Sequence, residues 1–310
     1  MKTAFMFPGQ GSQAVGMMSD VLAACPEAEE IFDRASIAID LDLKEIALSG
    51  PEDRINQTAI TQPIVLTASL AMWQVWQNRS AFVPDYVCGH SLGEYTALVV
   101  SRVMTLEEAV RLVHLRGQLM QDAVPLGQGA MAALLGLEDE QVIAVCEQAS
   151  QGEVVAAANF NSPGQVVISG SNAALERAIN LAKEAGARRA AMLPVSVPCH
   201  CELLKPAGQA LAEEMAKVDF HDPVIPVVQN VTASVPQNLD ELKSNLLEHL
   251  YSPVRWSASI QTLAGLGVTR YVECGPGKVL AGLGKRIARD AQHMAMNDIA
   301  SLEAVLGEIK

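Results

Sequence analysis

No run of about 18 uninterrupted apolar residues occurs in this 310-residue chain, which excludes a membrane-spanning helix. The N-terminal Met1 to Phe7 runs straight into Pro8-Gly9, too short for the apolar region of a signal peptide, so the cytoplasm is the expected compartment. Basic residues are few: 22 Lys and Arg stand against 35 Asp and Glu, for a formal net charge of −13. That balance argues against nucleic acid and against anionic membrane surfaces as partners, and any anionic substrate must find a local basic patch. Cysteine is sparse as well. The six at positions 25, 88, 146, 199, 201 and 274 suit reduced, mostly buried thiols and not a disulfide framework. Cys199-His200-Cys201 has the residue types of a metal site, but in an extended segment the two sulfurs point one way and the imidazole the other, so no metal is expected. There is no fixed-period repeat, low-complexity tract or long linker. What is abundant is apolar: hydrophobic residues make up 50% of the chain, enough to bury the large core of a globular enzyme in one domain or two.

The most informative segment is Gly89-His90-Ser91-Leu92-Gly93. Tyr86-Val87-Cys88 before it reads as a buried strand, and Glu94 to Val100 after it as a helix, the pattern of a nucleophile elbow. A serine in such a turn holds its hydroxyl out from the backbone, and the glycines are needed where neighbouring elements crowd the turn. At a helix N-terminus, free N–H groups and the helix dipole favour developing negative charge, which makes the Leu92 N–H a natural oxyanion donor. Acyl chemistry is implied.

Periodicity predicts a strand over Thr3–Phe7, an amphipathic helix over Ala28–Ile39 and a long buried helix over Thr61–Trp76. Thr105-Leu106-Glu107-Glu108 is a capping box that starts a helix through about Asp122. From Ala130 the order changes to strand 131–135, helix 139–149, strand 154–158, strand 165–169, helix 173–185 and strand 189–193, with Asn161-Ser162-Pro163-Gly164 as the central turn. That β-α-β-β-α-β order is what an inserted ferredoxin-like subdomain requires. Past Pro198 the larger α/β pattern resumes with helix 202–217, strand 225–229, helices 239–250 and 257–266, strand 270–273 and a helix from Lys278. The division expected is a discontinuous core over 1–127 and 198–310 and a small subdomain over 128–197.

A serine nucleophile needs a base. Of the six histidines, His90 is expected to project away from Ser91, His114 lies in an amphipathic helix, and His221 and His293 sit near strand edges. His200 differs, because Val195 to His200 is a tight apolar segment re-entering the core, a sensible way to hold an imidazole rigidly; the alternative is a buried, hydrogen-bonded histidine without a catalytic role. A neutral imidazole would make the rate rise with pH through an ionisation near about 6.5. No Asp stands out as a third member, although a backbone carbonyl can serve. Phe7 to Gln13 follows the first strand, where glycine-rich backbone commonly lines an α/β site, and the Gln10 N–H is a candidate second oxyanion donor. Arg116 shares its helix face with Leu112, Leu119 and Met120, so its guanidinium is expected to point inward and pair with a carboxylate, either a substrate's or a structural one. Glu273 to Leu280, with Gly275-Pro276-Gly277, is a weaker candidate for a phosphate cradle at a helix start. Lys278, Lys285, Arg286 and Arg289, expected on one helix, and Arg188 and Arg189 in the small unit are the local basic clusters available to an anionic partner, unless they are ordinary solvated faces.

Seven ordered motifs together resemble the malonyl-CoA:acyl-carrier-protein transacylases: Phe-Pro-Gly-Gln-Gly-Ser-Gln at 7–13, Gly-His-Ser-Leu-Gly-Glu-Tyr at 89–95, Arg116, Asn-Phe-Asn-Ser-Pro-Gly-Gln at 159–165, Val-Pro-Cys-His at 197–200, Pro-Val-Arg-Trp at 253–256 and Gly-Pro-Gly-Lys-Val-Leu at 275–280. The resemblance covers essentially the whole chain. It implies a hydrolase-like α/β core with a parallel sheet, carrying the ferredoxin-like subdomain. It implies Ser91 as nucleophile, His200 as base, the N–H groups of Gln10 and Leu92 as oxyanion hole, and Arg116 as partner of the malonyl carboxylate. Gln62, Asn159, Asn161 and His249 would line the substrate site. The implied partners are malonyl-CoA and acyl carrier protein, with no metal or redox cofactor and with ping-pong transfer through a malonyl-serine. One residue departs from the pattern: His249 stands where the family typically has a glutamine whose backbone carbonyl orients the catalytic histidine. A serine thioesterase, or an acyltransferase serving polyketide synthesis, shares the elbow.

Overall fold

Two sheets organise the molecule in the computed structural model, which describes residues 1–125, 127–195 and 197–309. The larger is formed by β1 (Lys2–Phe7), β2 (Tyr86–Gly89), β7 (Val227–Val228), β8 (Val268–Cys274) and β9 (Gln292–Met296), in the order β7-β2-β1-β8-β9 with every pair parallel. Between β1 and β2 lie α1 (Ser19–Ala24), α2 (Pro26–Ile39), α3 (Leu43–Ser49), α4 (Glu52–Ile55) and α5 (Thr58–Arg79); α6 (Gly93–Val100) and α7 (Leu106–Ala123) follow β2. After the smaller sheet come α10 (Lys205–Met215), α11 (Leu239–Glu248), α12 (Trp256–Gly265), α13 (Val279–Ile287) and α14 (Ile299–Glu308). No helix among the described residues is long and apolar enough to cross a membrane.

Parallel sheets need both faces covered, and α5 supplies much of one face. It is buried almost continuously from Thr61 to Trp76, and Trp73 and Trp76 both pack edge-on to Phe5 of β1, with ring centroids 5.6 and 5.3 Å away. The Thr105 capping box of α7 forms as its sequence predicts. Three other expectations shift. The strand expected over 225–229 shrinks to β7, because Pro226 has no N–H to donate to a ladder; its carbonyl still accepts from Val87. The helix expected over 202–217 opens as a 3-10 turn over Glu202–Leu204 before α10 begins. β9 and α14 form beyond the helix expected from Lys278, where the sequence pattern predicts neither.

The second sheet comprises β3 (Gly129–Leu135), β4 (Val155–Ser162), β5 (Gln165–Ser171) and β6 (Arg189–Met192), antiparallel throughout in the order β4-β5-β3-β6, with α8 (Asp139–Ser150) and α9 (Asn172–Glu184) completing the unit. It has its own apolar core, built on Leu134, Val142, Val166, Ile168, Leu175 and Ala178. The central turn is tighter than expected: strand pairing runs to Ser162 and resumes at Gln165, leaving Pro163-Gly164 with Gly164 at φ +69°. Asn161 therefore belongs to a strand. β4 also carries a register shift between Ala157 and Asn159. There Ala158 O accepts from Val254 N at 2.8 Å and Phe160 N donates to Val254 O at 2.9 Å, stitching the small sheet to the segment before α12.

Candidate active site

At the β2–α6 turn Ser91 has φ +50°, a left-handed conformation that side chains rarely adopt. Crowding explains the flanking glycines: a Cβ on Gly89 would stand 1.9 Å from Gly93 C, and one on Gly93 would stand 2.0 Å from Phe7 O. The turn is gripped from another element. Ser91 N donates to Asn230 Oδ1 at 2.9 Å, and Asn230 Nδ2 donates to Gly89 O at 2.6 Å.

Ser91 Oγ lies 2.8 Å from Nε2 of His200, a buried residue that is itself left-handed at φ +60°. On the other side of the ring, Nδ1–H donates to His249 O at 2.8 Å, which fixes the tautomer and leaves Nε2 free to accept. The orienting group is a backbone carbonyl and not a carboxylate. Burial first, and the Arg116 charge second, push His200 down to about 3, so its free base persists far below the ordinary histidine range. The ionisation near about 6.5 expected from sequence therefore does not belong to this ring. Ser196, in the segment leading to His200, lies outside the described residues.

Arg116, on α7, is 2% exposed. Its Nη1 donates to Gln62 Oε1 at 2.6 Å and its Nη2 to Ser91 Oγ at 3.3 Å, with Tyr95's ring 5.8 Å below. Among the described residues no carboxylate pairs with it within 4 Å. A buried guanidinium with only neutral partners is an anion site in waiting, and its distance from Ser91 puts that anion beside the hydroxyl.

Ser91, His200 and Arg116 open into a cavity of about 200 Å³. Gln10, Leu92, Asn159 and Asn161 line it, as expected from sequence, and neither the Gln10 N–H nor the Leu92 N–H has an acceptor among the described residues. Met120, Met131, Val167, Leu193, Val195 and Cys199 form an apolar wall that sequence reasoning did not single out. Burial pushes the Cys199 thiol up to about 12, which keeps it protonated. Three expectations need correction. His90 does not turn away: it lines the cavity, with Nε2 2.8 Å from Asn161 Oδ1. Gln62 and His249 do not line it, because both side chains are packed behind the residues that do, Gln62 against Arg116 and His249 against His200. Asn230 and Glu94, also buried behind the turn, gave no sequence signal beyond Glu94's place after the elbow.

A second hollow shares Gln10, His90 and Asn161 with this cavity and is bounded by Gln165, Val279 and Leu283. Arg286 reaches its edge, donating to Gln165 Oε1 at 2.7 Å. Gln165 pairs with Leu135, which pairs in turn with Arg189, so Arg188 and Arg189 follow along the same end of the small sheet. Lys278 and Lys285 are exposed on α13 or at its cap. Arg289 is not on that helix, which closes at Ala288 with its N–H on Gly284 O. No phosphate cradle exists at the start of α13, because Glu273 occupies it: its Oε2 accepts from Ala281 N at 2.8 Å, and burial raises its carboxyl to about 7.

The chain matches the acyl transferase domain family over residues 4–304. It is 50% identical to the malonyl CoA-acyl carrier protein transacylase of Escherichia coli K12 over 303 residues, 98% of each chain. Against the Bacillus subtilis protein of the same name, identity is 42% over 310 residues, 100% of this chain and 98% of that one. Among solved structures it is similar to an acyl carrier protein S-malonyltransferase from Vibrio cholerae, with TM-score 0.96 and 50% identity over 98% of this chain and 100% of that one. It is also similar to a malonyl-transacylase solved in complex with its type II PKS acyl-carrier protein, with TM-score 0.98 and 45% identity over 99% and 100%.

Proposed function

This chain belongs to the acyl transferase domain family, and from that premise we propose that it moves a malonyl group from malonyl-CoA to the phosphopantetheine thiol of acyl carrier protein, supplying fatty acid synthesis. The observation that carries the reading is Arg116: a buried cation with no acidic partner among the described residues, 3.3 Å from the Ser91 hydroxyl, suits an acyl group with a free carboxylate at its far end. A thioesterase for uncharged acyl chains would have no use for it.

His200 Nε2 takes the proton of Ser91 Oγ as that oxygen attacks the thioester carbon. The oxyanion forms against the free N–H groups of Gln10 and Leu92. When the C–S bond breaks, His200 returns the proton to the coenzyme A sulfur, leaving a malonyl-serine whose carboxylate pairs with Arg116. The carrier-protein thiol then attacks with the same steps reversed. Thiol-for-thiol exchange at an acyl carbon is redox-neutral, and the groups named here supply every proton step, so no metal or redox cofactor is called for. Asn159 and Asn161 border the acyl group, and Gln62 and His249 act from behind Arg116 and His200.

We read residues 1–127 and 198–310 as a hydrolase-like core and 128–197 as a ferredoxin-like subdomain, supported by the parallel five-stranded order of one sheet and the β-α-β-β-α-β connectivity of the other. The exposed residues Lys278, Lys285, Arg286, Arg188 and Arg189, with Arg289 flanking them, are assigned to carrier-protein or coenzyme-phosphate docking on the strength of the Arg286–Gln165 contact. Six cysteines that are all free thiols suit the cytoplasm.

The test is intact-protein mass spectrometry after incubation with malonyl-CoA. One malonyl group is expected, mapped to Ser91 and absent from Ser91→Ala. An adduct that persists in the alanine variant, or maps to a cysteine, defeats the assignment.

A further inference from the structure

Directly beneath the Ser91–His200 pair lies a second titratable pair to which the mechanism above assigns no proton step. The His249 ring, 1% exposed, stacks on the His200 ring with centroids 5.1 Å apart and planes 26° off parallel. Its Nδ1 lies 3.8 Å from Oε2 of Glu94, which is wholly buried. Neither ring nitrogen of His249 has a hydrogen-bond partner among the described residues. The Glu94 carboxylate accepts from Asn230 N at 2.7 Å and from Gln229 Nε2 at 3.1 Å, and Asn230 is the residue that grips the Ser91 N–H. Glu94 also stands in the first turn of α6, where the helix dipole favours an anion.

We propose that Glu94 is a positioning residue for acyl transfer: acting across the stacked His249 ring, its carboxylate provides the negative charge that the serine–histidine pair otherwise lacks, favouring the His200 imidazolium formed as Ser91 attacks. The inference rests on the malonyl-transfer reading. Protons balance without Glu94 giving or taking one. The proton leaves Ser91 Oγ, resides on His200 Nε2 while the C–O bond forms, and departs on the thiol as the C–S bond breaks. Glu94 acts by charge alone, and low dielectric makes that charge effective.

The charged and titratable groups that face this pair are Arg116, His200, His90, Cys88 and Tyr95. Burial opposes the Glu94 anion most strongly, the hydrogen bonds from Asn230 and Gln229 and then the Arg116 charge favour it, and the balance raises Glu94 to about 7. His249 is held well below the ordinary histidine range by burial and by its His200, Arg116 and His90 neighbours, so it stays neutral and Glu94 is the member of the pair that titrates. The sign follows. Above pH 7 Glu94 is ionised and acylation is fast. As pH falls through 7 it takes a proton and the rate steps down to a lower plateau, while His200 is still the free base.

The experiment is single-turnover acylation of Ser91 over a range of malonyl-CoA concentrations up to saturation, between pH 5.5 and 9, on the wild-type protein and on Glu94→Gln. Wild type is expected to show a step of about tenfold centred near pH 7, and Glu94→Gln to run along the lower plateau at every pH, with the concentration dependence on malonyl-CoA unchanged. A flat wild-type rate over this range overturns the proposal, and needs no variant that might misfold. So does a folded Glu94→Gln protein that keeps the step, or one whose loss lies only in the Michaelis constant. A wild-type protein that takes up no malonyl group would instead defeat the parent reading and not this inference.

Discussion

The two walls of the Ser91 cavity come from different parts of the molecule and are built differently. The wall from the parallel-sheet unit carries Gln10, His90, Ser91, Leu92, Arg116 and His200, on backbone so tightly apposed that glycine is required at 89 and 93 and two non-glycine residues sit at positive φ. The wall from the antiparallel unit carries Met131, Val167, Leu193 and Val195, with Asn159 and Asn161 as its polar groups among the described residues. Strain and fixed hydrogen bonds belong where charge must develop at one atom; an apolar surface that can be re-contoured belongs where an acyl group must be admitted. The hydrogen bond between His90 and Asn161 joins the two. If this division is correct, substitutions on the first wall should change rate, and substitutions on the second should change which acyl group is used.

The sharpest break would come from His200→Ala. Loss of the proton acceptor should slow acylation by about 10³-fold, within the range ascribed to general bases, while malonyl-CoA still binds. Stopped-flow acylation set against equilibrium binding separates the two, and a loss of under tenfold would move the base elsewhere.

Arg116→Ala comes next. Two charge-assisted hydrogen bonds at roughly 1.5–3 kcal/mol each imply a fall of about 10²-fold or more in malonyl transfer relative to acetyl transfer. The ratio of the two rates in one preparation is the readout. Equal losses for both acyl groups would make Arg116 a structural cation.

On the opposite wall, Met131→Ala should do the reverse. Met131 is 6% exposed and packs with Val167, Leu193, Val195 and Cys199, so its truncation should cost about 2 kcal/mol of stability. Malonyl transfer should stay within a few-fold, while a branched malonyl thioester gains about tenfold relative to the unbranched one. Thermal melts and paired-substrate rates test both halves, and a loss of rate with unaltered selectivity would erase the division between the walls.

The serine wall was readable in the sequence because its constraints are local: Gly-x-Ser-x-Gly between a strand and a helix encodes its own crowding. His200 stands out among six histidines only by the tight apolar segment before it, which leaves a non-catalytic role open, since its contact with Ser91 spans 109 positions. Asn230, 139 positions from Ser91, carries no local signature at all. Gln62 and His249 were placed at the site but on the wrong side of their neighbours, because similarity of sequence transfers a residue and not the direction of its side chain. The spacing of Arg289 suits α13, but closure at Ala288 and the turn back into β9 override that spacing. β9 itself, Gln-His-Met-Ala-Met, lacks the β-branched residues that mark strands.

The smallest expected effect concerns neither wall but the rim between them. With a net charge of −13, the chain repels an acidic partner at long range, and only local clusters can reverse that. Arg286 bridges α13 to Gln165 at the edge of the hollow that adjoins the cavity, and Lys285 precedes it on the exposed face of the helix. Reversing both charges, Lys285→Glu with Arg286→Glu, should raise the Michaelis constant for acyl carrier protein about fivefold at low salt and flatten its dependence on ionic strength, because exposed charges act mainly on encounter. Acylation of Ser91 by saturating malonyl-CoA should stay within about twofold, since neither side chain lines the cavity. Unchanged carrier-protein kinetics at low salt would place docking elsewhere on the surface, and a matching loss of acylation would mean that the rim shapes the cavity itself.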